Sequence, residues 1–286
     1  MHRIAKIARL CSLCWLAWAA APAHAQLLPP VSYVGTSCGV FNGIYTDAGP
    51  AGAGLQLSCD KQESGVSLRY GPYTFEAVAS VNTGLEKGGA VDAGGSLKMT
   101  GGEPYLMWSA GAGGYIRYQV GLAGLGAAPQ DVQMVPIKFR ASGEAHVNGG
   151  DMGSFDIAAW VGDQGWRRQW EGAGSNSGSF SGTTSVMLST GANQAMEVLV
   201  SAWCHVSTWS GGAGSGNCVA AADPIFSFDQ PAFDTLMGAN SFALDQYYRI
   251  DLSPGVTAVP EPATAWMALA GGLALVWRRR RAGNTA

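Results

Sequence analysis

Four stretches of this chain alternate apolar and polar residues with a period of two, and that pattern limits the fold more than any other feature. In "VPIKFRASG", Val135, Ile137, Phe139 and Ala141 fall on one side, with Lys138, Arg140 and Ser142 on the other. "YIRYQVGL" sets Ile116, Tyr118, Val120 and Leu122 against Tyr115, Arg117 and Gln119. "SFDIAAWV" and "MEVLVSAWCHV" repeat the pattern through Phe155, Ile157, Ala159 and Val161, and through Met196, Val198, Val200, Ala202, Cys204 and Val206. A period of two places one face against a core and the other in water, which predicts half-buried strands. Glycine-rich stretches such as "GGAVDAGG", "SAGAGG", "VNGGDMG", "EGAGSNSGSFSG" and "SGGAGSGN" read as the punctuation between them.

The chain has 41 glycines in 286 residues, while Lys and Glu are scarce. That composition disfavours long surface helices, and no segment after the first 25 residues shows an amphipathic helix of normal length. The expected fold is all-β: an antiparallel two-sheet β-sandwich, jelly-roll-like, of roughly 10–14 strands. The expected organisation is a signal peptide over 1–25, a single β-sandwich ectodomain over 26–254, and a linker with a sorting segment over 255–286. A signal helix and a short transmembrane helix would flank the sandwich.

The start of the chain supports export. "MHRIAKIARLCSLCWLAWAAAPAHAQ" has basic residues at Arg3, Lys6 and Arg9, an apolar core from Leu10 to Ala21, and small residues at Ala23 and Ala25. Signal peptidase would cut between Ala25 and Gln26, so Cys11 and Cys14 would leave with the signal. Four cysteines then remain, Cys38, Cys59, Cys204 and Cys218. In an oxidising compartment they imply two disulfides, and three pairings are open. Pairing of neighbours would close one loop near each end of the domain.

The end of the chain is the most specific motif. "VPEPATAWMALAGGLALVWRRRRAGNTA" carries Pro260, Glu261 and Pro262, an apolar run over Ala263–Trp277, and Arg278, Arg279, Arg280 and Arg281. As a helix the apolar run would span roughly 22 Å, a marginal length for a hydrocarbon core of about 30 Å. The arginines would hold its far end in the cytoplasm, and with five residues after them no cytoplasmic domain is expected. In this order and position the three features resemble the PEP-CTERM sorting signal of Gram-negative surface and secreted proteins. That resemblance implies recognition of the triplet by exosortase, a membrane enzyme, and removal of the helix. The protein would be anchored transiently in the inner membrane and then reach the cell surface or extracellular matrix, in association with exopolysaccharide or biofilm. "AVASVNTGLEK", "AAADPIFSFD" and "YYRIDLSPGV" also resemble segments of PEP-CTERM surface proteins, which implies a β-sandwich. Asp223-Pro224 would open a strand, and Ser253-Pro254-Gly255 would close the last one.

Charge and motif content restrict the chemistry. Residues 26–259 hold 19 Asp and Glu against 10 Lys and Arg, with no basic stripe of the kind that nucleic acid requires. HExxH and P-loop patterns are missing, and no enzymatic activity is expected. A secreted hydrolase would have to use His146, which lies near Glu144, Asp151 and Asp156 in "GEAHVNGGDMGSFD". On a strand Glu144 and His146 share a face. No metal site is defined, and a structural calcium in a loop stays open without an identifiable ligand set. The competing class is a carbohydrate-binding module. In "WVGDQGWRRQWEG" its glycan contacts would be Trp160, Trp166 and Trp170, with Trp160 on the outer phase of its strand.

Overall fold

The computed structural model describes residues 27–40, 44–47, 55–67, 71–85, 88–101, 107–128, 132–191, 194–209 and 214–257. The proposed cleavage pair Ala25–Gln26, the Pro260–Pro262 triplet and Arg278–Arg281 lie outside the described residues.

Among the described residues thirteen strands run in chain order: β1 (Val31–Val40), β2 (Ile44–Asp47), β3 (Gln56–Ser67), β4 (Gly71–Gly84), β5 (Ala90–Thr100), β6 (Met107–Gly124) and β7 (Met134–Gly149). They continue with β8 (Met152–Val161), β9 (Gln164–Gly172), β10 (Asn176–Ser189), β11 (Met196–Trp209), β12 (Gly214–Phe228) and β13 (Tyr248–Leu252). One sheet, here sheet A, has the order β2-β1-β6-β11-β8-β9, with β13 also paired to β6. The other, sheet B, has the order β10-β7-β12-β5-β4-β3. Every pairing is antiparallel. Strands β5 to β12 interleave as 5-12-7-10 in one sheet and 6-11-8-9 in the other. That is the strand order of a jelly roll, in which successive strands mostly cross from sheet to sheet. The remaining strands widen the two sheets beyond it.

The core is the sum of the alternating faces. Val135, Ile137, Phe139 and Ala141 of β7 are buried, as are Ile116, Tyr118 and Val120 of β6 and Val198, Val200 and Ala202 of β11. Tyr118 keeps its polar end satisfied inside the core by donating from its hydroxyl to the Gly88 carbonyl at 2.7 Å.

Several of the glycine-rich stretches are not punctuation: Asn176–Gly182 of "EGAGSNSGSFSG" lies in β10, and two more are largely strand. Most of Gly88–Gly95 belongs to β5, and Ser109–Gly114 lies inside β6. The reason is steric, since a strand glycine marks a place where something approaches closely. A Cβ on Gly95 would lie 3.2 Å from the backbone of Ala110 in the opposite sheet. The Asp223-Pro224 expectation is also corrected, because this pair sits within β12 and does not open it. Pairing with β5 stops at Ala222 while pairing with β7 continues to Phe228. Proline therefore enters β12 where one flank has no ladder bond to lose.

A short helix, α1 (Gln230–Met237), follows β12 and buries Phe233. The Asp229 carboxylate accepts from the Ala232 N–H at its start. Eight residues are too few for a readable helical period, although the Asp-Gln-Pro start is an N-cap signature.

Both disulfides join the two sheets. Cys38 of β1 bonds Cys59 of β3, with Cα atoms 6.2 Å apart. Cys204 of β11 bonds Cys218 of β12, at 5.8 Å. The second lies between the two inner strands of the jelly roll.

Ser253, fully buried, closes the fold after β13. Its Oγ donates to the Leu28 carbonyl at 2.6 Å and accepts from the Gln119 N–H at 2.8 Å. Val256 is buried, and the Thr257 N–H donates to the Leu85 carbonyl at 3.1 Å. Packing therefore continues past residue 255, where the linker was expected to begin.

The bridges close loops with sequence separations of 21 and 14 residues. By loop-closure entropy each contributes about 3 kcal/mol. Replacing Cys204 and Cys218 together by Ala is expected to lower the unfolding free energy by about that amount, measured by denaturant titration. Unchanged stability would show that the sheets need no such link.

Candidate functional site

The three tryptophans of "WVGDQGWRRQWEG" sit on the β8–β9 hairpin, and the structure divides them. In the register Ala159 faces Trp166 and Phe155 faces Trp170, so both tryptophans share the inward phase with the buried residues of β8. Trp166 packs at 5.7 Å from Phe139 and 6.5 Å from Phe180, and Trp170 at 6.1 Å from Phe155. Trp166 fits because β10 offers Gly182 beneath it, where a Cβ would come within 2.0 Å of the indole. Both rings are half-buried wedges between the outer strands of the two sheets. Trp160 is on the outer phase, as expected, and lies over Gly165. The sequence spacing thus brought together residues that point to opposite sides of one hairpin.

The residues around His146 are dispersed as well. Glu144 and His146 do share the exposed face of β7. Asp156 lies on the outer face of the other sheet, where Arg167 holds it through two hydrogen bonds, the Nε contact being 2.8 Å. Asp151 binds the end of β11, accepting from Thr208 Oγ1 at 2.8 Å and from the Trp209 N–H at 2.6 Å.

Among the described residues one depression, of about 520 Å³, lies beside α1, and two others lie on the sheets. The larger, about 870 Å³, runs across the outer face of sheet B and carries Asp92, Glu144 and Asp223, with Arg167 and Arg168 at one end. Asp92 and Glu144 both face Ala221, one from each neighbouring strand, so two strand spacings separate them. Trp166 and Phe180 also line it, with Trp166 lying against Phe139 and Phe180.

The smaller of the two sheet depressions, about 550 Å³, is a trough on the outer face of sheet A. It is lined by Ser154 and Asp156 of β8, Gln169 and Glu171 of β9, and Trp203 and His205 of β11. Trp203 lies flat against the sheet because β6 has Gly113 opposite it, where a Cβ would come within 2.3 Å of the indole. His205 leans over Gly111 in the same manner, 3.0 Å from the corresponding position. Tyr33 stacks on Tyr115 at 5.6 Å and 16°, and Tyr33 is 6.0 Å from Trp203. Sequence reasoning missed this group because it concentrated on dense tryptophan spacing. The usable signal was the outward phase of "MEVLVSAWCHV", where Trp203 and His205 are consecutive outward residues.

Burial pushes the His205 imidazole below its ordinary value of 6.5, opposed by the negative charge of Glu171. In the register both residues flank Ser154, on opposite sides.

Comparison with known families matches residues 258–281 to the PEP-CTERM protein-sorting motif. No curated protein and no solved structure matches the chain. The motif implies an exported protein that is sorted and processed at the membrane by exosortase.

Two outcomes follow from this geometry. Gly182→Val drives a side chain into the space of Trp166 and is expected to destabilise the protein by about 1–3 kcal/mol, read from the thermal midpoint. Unchanged stability would mean that Trp166 is free to leave its seat. For His205, the unfolded chain takes up its proton before the folded one. The associated stability is complete above the unfolded value of 6.5 and is lost as pH falls through the lower folded value. On acidification below pH 6.5 the wild type should lose more of its thermal midpoint than His205→Gln does. Parallel losses would overturn this assignment.

Proposed function

We propose that this chain is a non-enzymatic surface or matrix protein of a Gram-negative bacterium, exported, processed by exosortase, and associated with exopolysaccharide. The observation that carries this reading is the sorting motif at residues 258–281. It follows directly on a disulfide-linked sandwich in which Thr257 is still hydrogen-bonded to Leu85. Disulfides suit an oxidising compartment outside the cytoplasm. A surplus of acidic residues over 26–259 suits a soluble protein outside the cell and disfavours nucleic acid as a partner. The hydrolase alternative loses support from the separation of Asp151 and Asp156 from His146.

The test is the intact mass of the protein in membrane and extracellular fractions of its host. The expected extracellular species ends near Pro260–Pro262 and lacks the apolar run. Replacing Glu261 by Ala should leave the unprocessed form in the membrane. A protein that retains Trp277 and the arginines and stays entirely membrane-bound would overturn the reading.

A further inference from the structure

We propose that the trough on the outer face of sheet A binds neutral hexopyranose units of a polysaccharide, with Trp203 as the stacking surface. The argument begins with its floor. Glycine in the interior of a strand weakens the sheet and is retained where something must lie close to the backbone. Gly111 and Gly113 let His205 and Trp203 lie flat, so the indole offers a broad face in place of an edge. Tyr33 and Tyr115 continue that apolar surface beyond a single ring. All three aromatic side chains remain half-exposed, and the trough volume of about 550 Å³ is within the usual range for small-ligand sites.

The opposite wall is polar and rich in acceptors: Asp156, Gln169 and Glu171. Arg167 fixes the Asp156 carboxylate in place, so its lone pairs are held in position before any ligand arrives. One apolar face opposed by fixed carboxylate and amide acceptors matches a pyranose, whose C–H face is apolar and whose hydroxyls donate. Nucleobases would also stack on such rings, but their phosphates would meet the carboxylates of Asp156 and Glu171, and Arg167 is already engaged by Asp156. Uronic acids are disfavoured by the same charge.

This site does not depend on sorting, and it is tested on the exported protein in solution, so its failure is separable from a failure of processing. The measurement is affinity electrophoresis through gels containing hydroxyethylcellulose, galactomannan or dextran, with alginate as the anionic comparison. Retardation is expected in at least one neutral polymer and not in alginate. Trp203→Ala should weaken it by about tenfold or more, as for a buried aromatic anchor. Because Trp203 also covers Gly113, two exposed positions serve as a second line: Gln169→Ala and Glu171→Ala should each weaken binding at an unchanged thermal midpoint. Trp160→Ala, on the same face but outside the trough, should bind like the wild type. The proposal is overturned by no retardation in any neutral polymer, by retardation in alginate alone, or by full binding in Trp203→Ala. It is also overturned if Trp160→Ala loses as much as Trp203→Ala.

Discussion

The close approach of the two sheets at β11 and β12 is the constraint on which the rest of the molecule depends. Cys204 and Cys218 join inner strands of the two sheets, with small residues on one side of the bridge, Ala112 opposite Cys204 and Gly95 opposite Cys218, and the larger Phe155 and Val147 on the other. Residues as small as Ala112 and Gly95 bury little apolar surface each, so that side gains less from burial than a leucine-rich core would. A covalent link there compensates, because it removes conformational freedom from the unfolded chain. Larger side chains are placed toward the flank, where Phe139, Phe155, Phe180, Trp166 and Trp170 fill the wider space between β9 and β10.

This gradient from thin centre to thick flank explains what could be read from the sequence. β6, β7, β8 and β11 declared themselves by alternation because each has one face in the core and one in water. Gly88–Gly95 and Ser109–Gly114 were legible as glycine but not as strand. Their meaning lies in a partner that comes close only after the chain has crossed to the other sheet, and a local window does not contain that partner. The same holds for the tryptophans. Spacing placed Trp160, Trp166 and Trp170 together, but the two-residue hairpin turn at Gly162-Asp163 resets the register and sends Trp166 and Trp170 inward. Tyr33, Tyr115 and Trp203 come from three separate strands, so only the sheet order unites them.

The two outer faces differ in a way that follows from this packing. On sheet B the aromatic residues of the flank pack against the core, and the exposed face mixes hydroxyls and carboxylates with Lys98, Arg140, His146 and Val219. On sheet A, outward glycines of β6 allow the side chains of β11 to recline, which produces a flat aromatic surface beside a polar wall. Glycine therefore acts in two senses in this chain: inward, it lets the sheets close, and outward, it lays rings flat.

The tie at Ser253 and Thr257 has a consequence for how the molecule stands at a membrane. Residues 258–262 are all that separate the bond to Leu85 from the apolar run, at most about 18 Å of extended chain. Were that run embedded in a membrane, the end of the sandwich bearing Leu85 would be held near the lipid surface on a short tether. An enzyme reaching for the triplet would work close to the end of a folded two-sheet sandwich. Unfastening Thr257 from Leu85 and Ser253 from Leu28 would lengthen the tether between the sandwich and the triplet.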